Sequence, residues 1–129
     1  MTAAGVVVVR TGTANLASVL AGLTRVGARP RVENDPETVR TAGRVVLPGV
    51  GTLAAAMQTL VADGLVEPLV ERIRQDRATL AVCLGLQMLC ESSQESEGVH
   101  GLGVVPGAVT RFTGDVAVPQ LGWNRVQPG

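Results

Sequence analysis

Ala78-Thr79-Leu80-Ala81-Val82-Cys83-Leu84-Gly85-Leu86-Gln87-Met88-Leu89-Cys90-Glu91 decides how the rest of the chain is read. Ala78 to Val82 is an apolar, strand-forming run. Leu86 to Glu91 is helix-forming. Cys83 stands between them beside Gly85. Strand, sharp turn with a nucleophile at its tip, then helix: that is the order of a nucleophile elbow. A thiol so placed meets a helix N-terminus, where partial positive charge favours the thiolate that does the chemistry. The plainer alternative is a core cysteine at a strand end.

Upstream, the chain alternates between strand and helix signals. Val6-Val7-Val8-Val9 is a β-branched run, as in a strand buried on both faces. Asn15 precedes a helical segment from Leu16 to Val26, with Leu16, Val19, Leu20 and Leu23 on one stripe and Gly27 as its stop. Arg29 to Glu33 reads as a short strand. Asp35-Pro36-Glu37 reads as an N-cap and N1 proline opening a short helix. Val45-Val46-Leu47 is a third buried strand, ended by Pro48-Gly49-Val50-Gly51. Helices from Thr52 to about Val61 and from Glu67 to about Gln75 precede the Thr79–Val82 strand. This alternation predicts an α/β fold with crossover units, a mainly parallel sheet and helices on both faces. Ligands on such sheets bind at the carboxyl ends of the strands, where both Pro48–Gly51 and Cys83 fall.

Beyond Glu91 the character changes. Residues 92–98 read as a polar loop. Leu102–Val105, Ala108–Phe112, Val116–Pro119 and Gly122–Val126 are short and strand-like, punctuated by glycine or proline.

The totals narrow the class. A chain of 129 residues fits one domain. Its 11 basic and 11 acidic residues cancel, and no basic stripe points to nucleic acid. Apolar runs are short, far from the roughly 18 to 20 residues of a membrane span. Met1-Thr2-Ala3-Ala4-Gly5 lacks a charged n-region, so no signal peptide is expected. Two cysteines are no disulfide framework, and a reduced, cytoplasmic protein is expected. Cys90 reads as a small buried hydrophobe. No metal or cofactor site is read.

A cysteine thiolate attacks carbonyl carbon, and the resulting oxyanion needs backbone N–H donors already aimed at it. Leu84, just past the elbow, offers one. The Gly49-Val50-Gly51 loop offers another, because glycine lets a peptide plane approach closely. Gln87, one helical turn after Cys83, is placed to hold a polar substrate.

At these residues the chain resembles the class I glutamine amidotransferases. More narrowly, it resembles the glutaminase subunits of imidazole glycerol phosphate synthase. The likeness is carried by Pro48-Gly49-Val50-Gly51, the Cys83–Gln87 elbow, Ala56-Met57, Gly101-Leu102-Gly103 with Pro106-Gly107, and Pro119 with Gly122-Trp123-Asn124. Gly12, Asn15-Leu16 and Ser18-Val19 match as well. The resemblance implies a three-layer, flavodoxin-like fold over one domain, 1–129. It also implies that Cys83 attacks the side-chain amide of glutamine. Val50, Gly51 and Leu84 would form the oxyanion hole, and Gly49 and Gln87 would bind substrate. Ammonia would pass to a (β/α)₈-barrel cyclase subunit in histidine biosynthesis, with Asn15, Trp123 and Asn124 at the interface. No cofactor is implied.

The chain departs from that pattern in places. Ala81 replaces a glycine, Arg10-Thr11 stands where an acidic and an aromatic residue are usual, and Gln120 replaces a His. The family's general base is a His oriented by a carboxylate two residues on. The only His here is His100, in Val99-His100-Gly101-Leu102, with no acid two residues after it. A chain resembling about the first two-thirds of such a subunit, with a sheet incomplete at its C-terminal side and little glutaminase activity alone, is therefore expected. The alternatives are a glutaminase of another synthase, such as that for vitamin B6, and a non-catalytic docking module.

Overall fold

A computed structural model describes residues 4–12 and 14–129. Met1-Thr2-Ala3, read above for a leader, lie outside the described residues. Strand β1 (Gly5–Val8) leads to helix α1 (Leu16–Arg25), then β2 (Arg29–Val32), α2 (Pro36–Thr41), β3 (Val45–Gly49), α3 (Leu53–Ala62), α4 (Val66–Arg74), β4 (Thr79–Cys83) and α5 (Leu84–Met88). Two short strands close the series, β5 (Ser92–Ser93) and β6 (Ala108–Val109).

The four long strands form one parallel sheet in the order β2-β1-β3-β4. Right-handed crossovers fix the layers. The step from β1 out to β2 puts α1 on one face. The steps back to β3 and on to β4 put α2, α3 and α4 on the other. The core divides accordingly. Leu16, Val19, Leu20 and Leu23 of α1 pack on Val6, Val8 and Val46. On the opposite face Val7, Val45 and Leu47 meet Leu53, Met57, Leu60, Leu65, Leu69, Leu84 and Met88.

Local signals account for the helix ends. Asn15 accepts from Ser18 N–H at 3.3 Å, and Asp35 from Thr38 N–H at 2.8 Å with Pro36 at the first turn. Gly27, at φ +85°, ends α1 in a Schellman motif, with Gly27 N–H on Thr24 O and Ala28 N–H on Leu23 O. At the amino end of β4 the fully buried Arg72 is satisfied without a carboxylate. Its guanidinium donates to Val39 O, Arg40 O, Ala42 O, Ala78 O and Thr79 Oγ1. Burial, and then the charge of Arg77, pull its pKa below the usual arginine value.

Some expectations are corrected. β3 does not stop at Leu47: Pro48 and Gly49 stay in register with Val82 and Cys83. Helix after the elbow ends at Met88 rather than Glu91. The carbonyls of Met88, Leu89, Cys90 and Glu91 accept instead from Leu102, Val105, Gly103 and Gly101 N–H. Those bonds also make Leu102–Val105 a strap over the helix end, not a strand. The polar loop after Glu91 contains β5, paired in parallel with β6. Val116–Pro119 and Gly122–Val126 form no strand, and residues 110–129 run exposed with no regular element. Among the described residues no single helix is long and apolar enough to cross a membrane.

Candidate active site

Cys83 ends β4 and caps α5 with φ +56° and ψ −118°, a backbone shape that side-chain-bearing residues rarely adopt. The thiol is exposed and unbridged, as is usual for a residue thrust out at the tip of a sharp turn. Two glycines make that turn possible. A Cβ on Gly85 would collide with the Leu47 carbonyl, so α5 lies directly on the β3 backbone only because residue 85 has no side chain. A Cβ on Gly49 would stand 3.1 Å from Leu84 Cβ and 3.3 Å from Met88 Cε.

The β3–β4 register sets Gly49 beside Cys83. The loop leaving Gly49 therefore starts next to the thiol. Val50 is about half exposed, at 47%, and Gly51 turns the backbone at φ +93° before Thr52 caps α3. Leu84 sends its side chain into the core, while its N–H belongs to the first turn of α5, where helical amides lack an intrahelical acceptor. Gln87 is half-buried one turn along α5, and its carboxamide makes no hydrogen bond among the described residues. Cys83, Gly49, Val50, Gly51, Leu84 and Gln87 thus come together at the carboxyl end of the sheet.

Asn15 is exposed past the carboxyl end of β1, on the same side of the sheet. Trp123 and Asn124 are not brought to it by packing: Trp123 is wholly exposed, and the Asn124 side chain donates to Gln120 Oε1, at 3.2 Å. His100 is exposed and bridges Ser92, past the C-terminal end of α5. Among the described residues no three His, Cys, Asp or Glu side chains converge as a metal site would need.

Two residues make contacts that no sequence signal announced, although Thr11 stood out as a departure from the family pattern. Thr11 is fully buried, and its hydroxyl donates to Pro48 O at 3.1 Å. Asn34 clamps the Arg10 backbone, accepting from its N–H and donating to its carbonyl, both at 2.8 Å, and also donates to Asp63 Oδ2. Both act through side chains on backbone distant in sequence, which no local pattern encodes.

Residues 20–117 match the family model of the CobB/CobQ-like glutamine amidotransferase domain. The chain is 41% identical over 128 residues to the imidazole glycerol phosphate synthase subunit HisH of Syntrophotalea carbinolica, covering 94% of this chain and 62% of that protein. It is 43% identical over 115 residues to the subunit of the same name from Methanothermobacter thermautotrophicus, covering 89% of this chain and 57% of that protein. To the chloroplastic imidazole glycerol phosphate synthase hisHF of Arabidopsis thaliana it is 41% identical over 120 residues, 92% of this chain and 20% of that protein. The chain thus spans about 60% of the length of the HisH relatives it matches.

Proposed function

The chain belongs to the CobB/CobQ-like glutamine amidotransferase family, and from that premise we propose that it carries the nucleophile half of the glutaminase of imidazole glycerol phosphate synthase. The observation that carries this reading is the Gly49–Cys83 register, which sets a glycine-flanked loop beside a cysteine in elbow geometry. The names of the relatives supply the synthase, and the resemblance read from the sequence adds the role in histidine biosynthesis.

In this reading Cys83 Sγ attacks the side-chain amide carbon of glutamine. The oxyanion that forms is met by the N–H groups of Val50, Gly51 and Leu84. Collapse breaks the C–N bond and releases ammonia, leaving a thioester on Cys83. Water then cleaves the thioester to glutamate and restores the thiol. Gly49 and Gln87 line the substrate's path. Ammonia goes to a (β/α)₈-barrel cyclase, with Asn15, Trp123 and Asn124 facing that partner in the cytoplasm. A base must take the thiol proton and later return one to the leaving amine. His100, the only His, pairs with Ser92 past the C-terminal end of α5 and has no carboxylate two residues on, so the 129 residues alone are expected to lack that step.

The test is ammonia release from glutamine. The chain alone should give none above background. The subunit at its relatives' length, with the cyclase, should release ammonia and lose it on Cys83→Ser. Release by the chain alone would sink the argument about the base. A silent complete assembly would sink the glutaminase reading and favour the docking module, for which the pairing of His100 with Ser92 beyond α5 is the supporting observation.

A further inference from the structure

We propose that Thr11 is a positioning residue for the loop beside the nucleophile, holding its entry peptide from the β1 side. This inference rests on the glutaminase reading for its purpose, but on geometry for its content. Along the β1–β3 border the rungs run from Val7 N–H to Arg44 O and from Val9 N–H to Val46 O, each 3.0 Å. The next carbonyl in that series is Pro48 O, and it accepts from the Thr11 hydroxyl at 3.1 Å. A side chain has taken over the ladder one rung past the end of the strand.

Pro48 makes this bond matter. It has no N–H, so its carbonyl is its only backbone hydrogen-bonding group. That carbonyl lies in the peptide plane that also carries Gly49 N–H. Fixing the oxygen toward β1 turns Gly49 N–H toward β4 and Cys83, and sets the direction in which Val50 and Gly51 leave the sheet. Pairing with β4 holds this peptide from one side, and the Thr11 hydroxyl holds it from the other.

Thr11 is itself held. Asn34 grips Arg10 at both backbone groups and leans on Asp63 at the end of α3. Gly12 turns at φ +79°, so close to α3 that a Cβ would stand 3.0 Å from Thr59 Oγ1. The hydroxyl is buried, so water does not compete for Pro48 O. Asp63, Asn34, Arg10, Thr11 and Pro48 thus form a transverse brace from the α3 end to the mouth of the site.

Thr11→Val keeps the shape and removes the donor, while Thr11→Ser keeps the donor. In the 129-residue chain, amide exchange at Gly49, Val50 and Gly51 should quicken roughly tenfold in Thr11→Val and stay near the parent rate in Thr11→Ser. Exchange at Val6–Val8 should be unchanged. Unaltered exchange at 49–51, or a rise spread evenly over the sheet, overturns the proposal. In the complete assembly, Thr11→Val should lower kcat for glutamine roughly 10- to 100-fold with KM within about twofold, and Thr11→Ser should recover most of it. Parent-like kcat in Thr11→Val overturns the positioning role. If the unsubstituted assembly releases no ammonia, the glutaminase reading fails, and the exchange measurement still decides whether Thr11 holds the loop.

Discussion

β3 and β4 lie side by side, are similarly apolar, and meet their environment in opposite ways. Val45, Val46 and Leu47 are covered on both faces and flanked by strands on both edges. Among the described residues only one edge of β4 is paired, and Leu80 and Val82 are 56% and 40% exposed. Leu80 pairs with the buried Val46, so it shares the α1 side of the sheet, yet α1 reaches only as far as β3. Position in the sheet, not composition, decides what each residue contributes. Cys83 stands on the strand with less support, and its placement depends on what β3 lends it: the Gly49 pairing and the Leu47 backbone under Gly85.

The largest expected contrast is between two leucines. Leu47→Ala should destabilise the chain by about 2 to 5 kcal/mol, whereas Leu80→Ala should change it by about 0.5 kcal/mol. Urea unfolding of both variants measures this, and equal losses would end the distinction between the strands. Two glycines give the next contrast. Gly85→Ala should cost about 1 to 3 kcal/mol, because the added carbon must push α5 off the Leu47 carbonyl. Gly22→Ala, mid-helix in α1 with nothing within 4 Å, should instead stabilise by about 0.5 to 1 kcal/mol. Thermal melts of the pair check the opposite signs.

The open side of β4 makes a third prediction. An apolar face beside an unpaired strand edge invites pairing with another chain. The parent chain should sediment as a concentration-dependent mixture, and Leu80→Lys with Val82→Lys should shift it toward monomer. A parent that stays monomeric at all concentrations would show that the exposed edge is tolerated. The smallest effect concerns acid. The Thr38 hydroxyl, and then the Thr38 N–H, hold the Asp35 carboxyl below its usual 3.8. That contribution is present above the unfolded value and is lost as pH falls through it toward the lower folded one. Asp35→Asn, which caps without titrating, should flatten the dependence of unfolding on pH below about 4.

The legibility of this fold in its sequence follows the range of the forces involved. Asn15, Asp35-Pro36 and Gly27 act within a few residues, and the helices they bound stand where the residue pattern puts them. The elbow was legible because strand, Cys83 and Gly85 are contiguous. The early end of α5 was not, since its carbonyls are taken by residues 101–105, which no periodicity connects to it. The strand-like runs after Phe112 show the converse. A β-prone segment becomes a strand only when an edge accepts it, and Val116, Val118 and Val126 lie exposed without one. Thr11 was visible as a departure from a family pattern, but its hydrogen bond to Pro48 was not.

The positive φ of Cys83 has a consequence for inheritance. A left-handed backbone suits glycine and burdens any residue with a Cβ, by about 1 to 3 kcal/mol. Cysteine and glycine codons differ by one base. A single nucleotide change at position 83 would therefore relax the fold while erasing the thiol on which the proposed glutaminase rests, so gains in stability and loss of that thiol lie in the same direction. Lineages of this gene can relax the backbone here only by giving up the thiol.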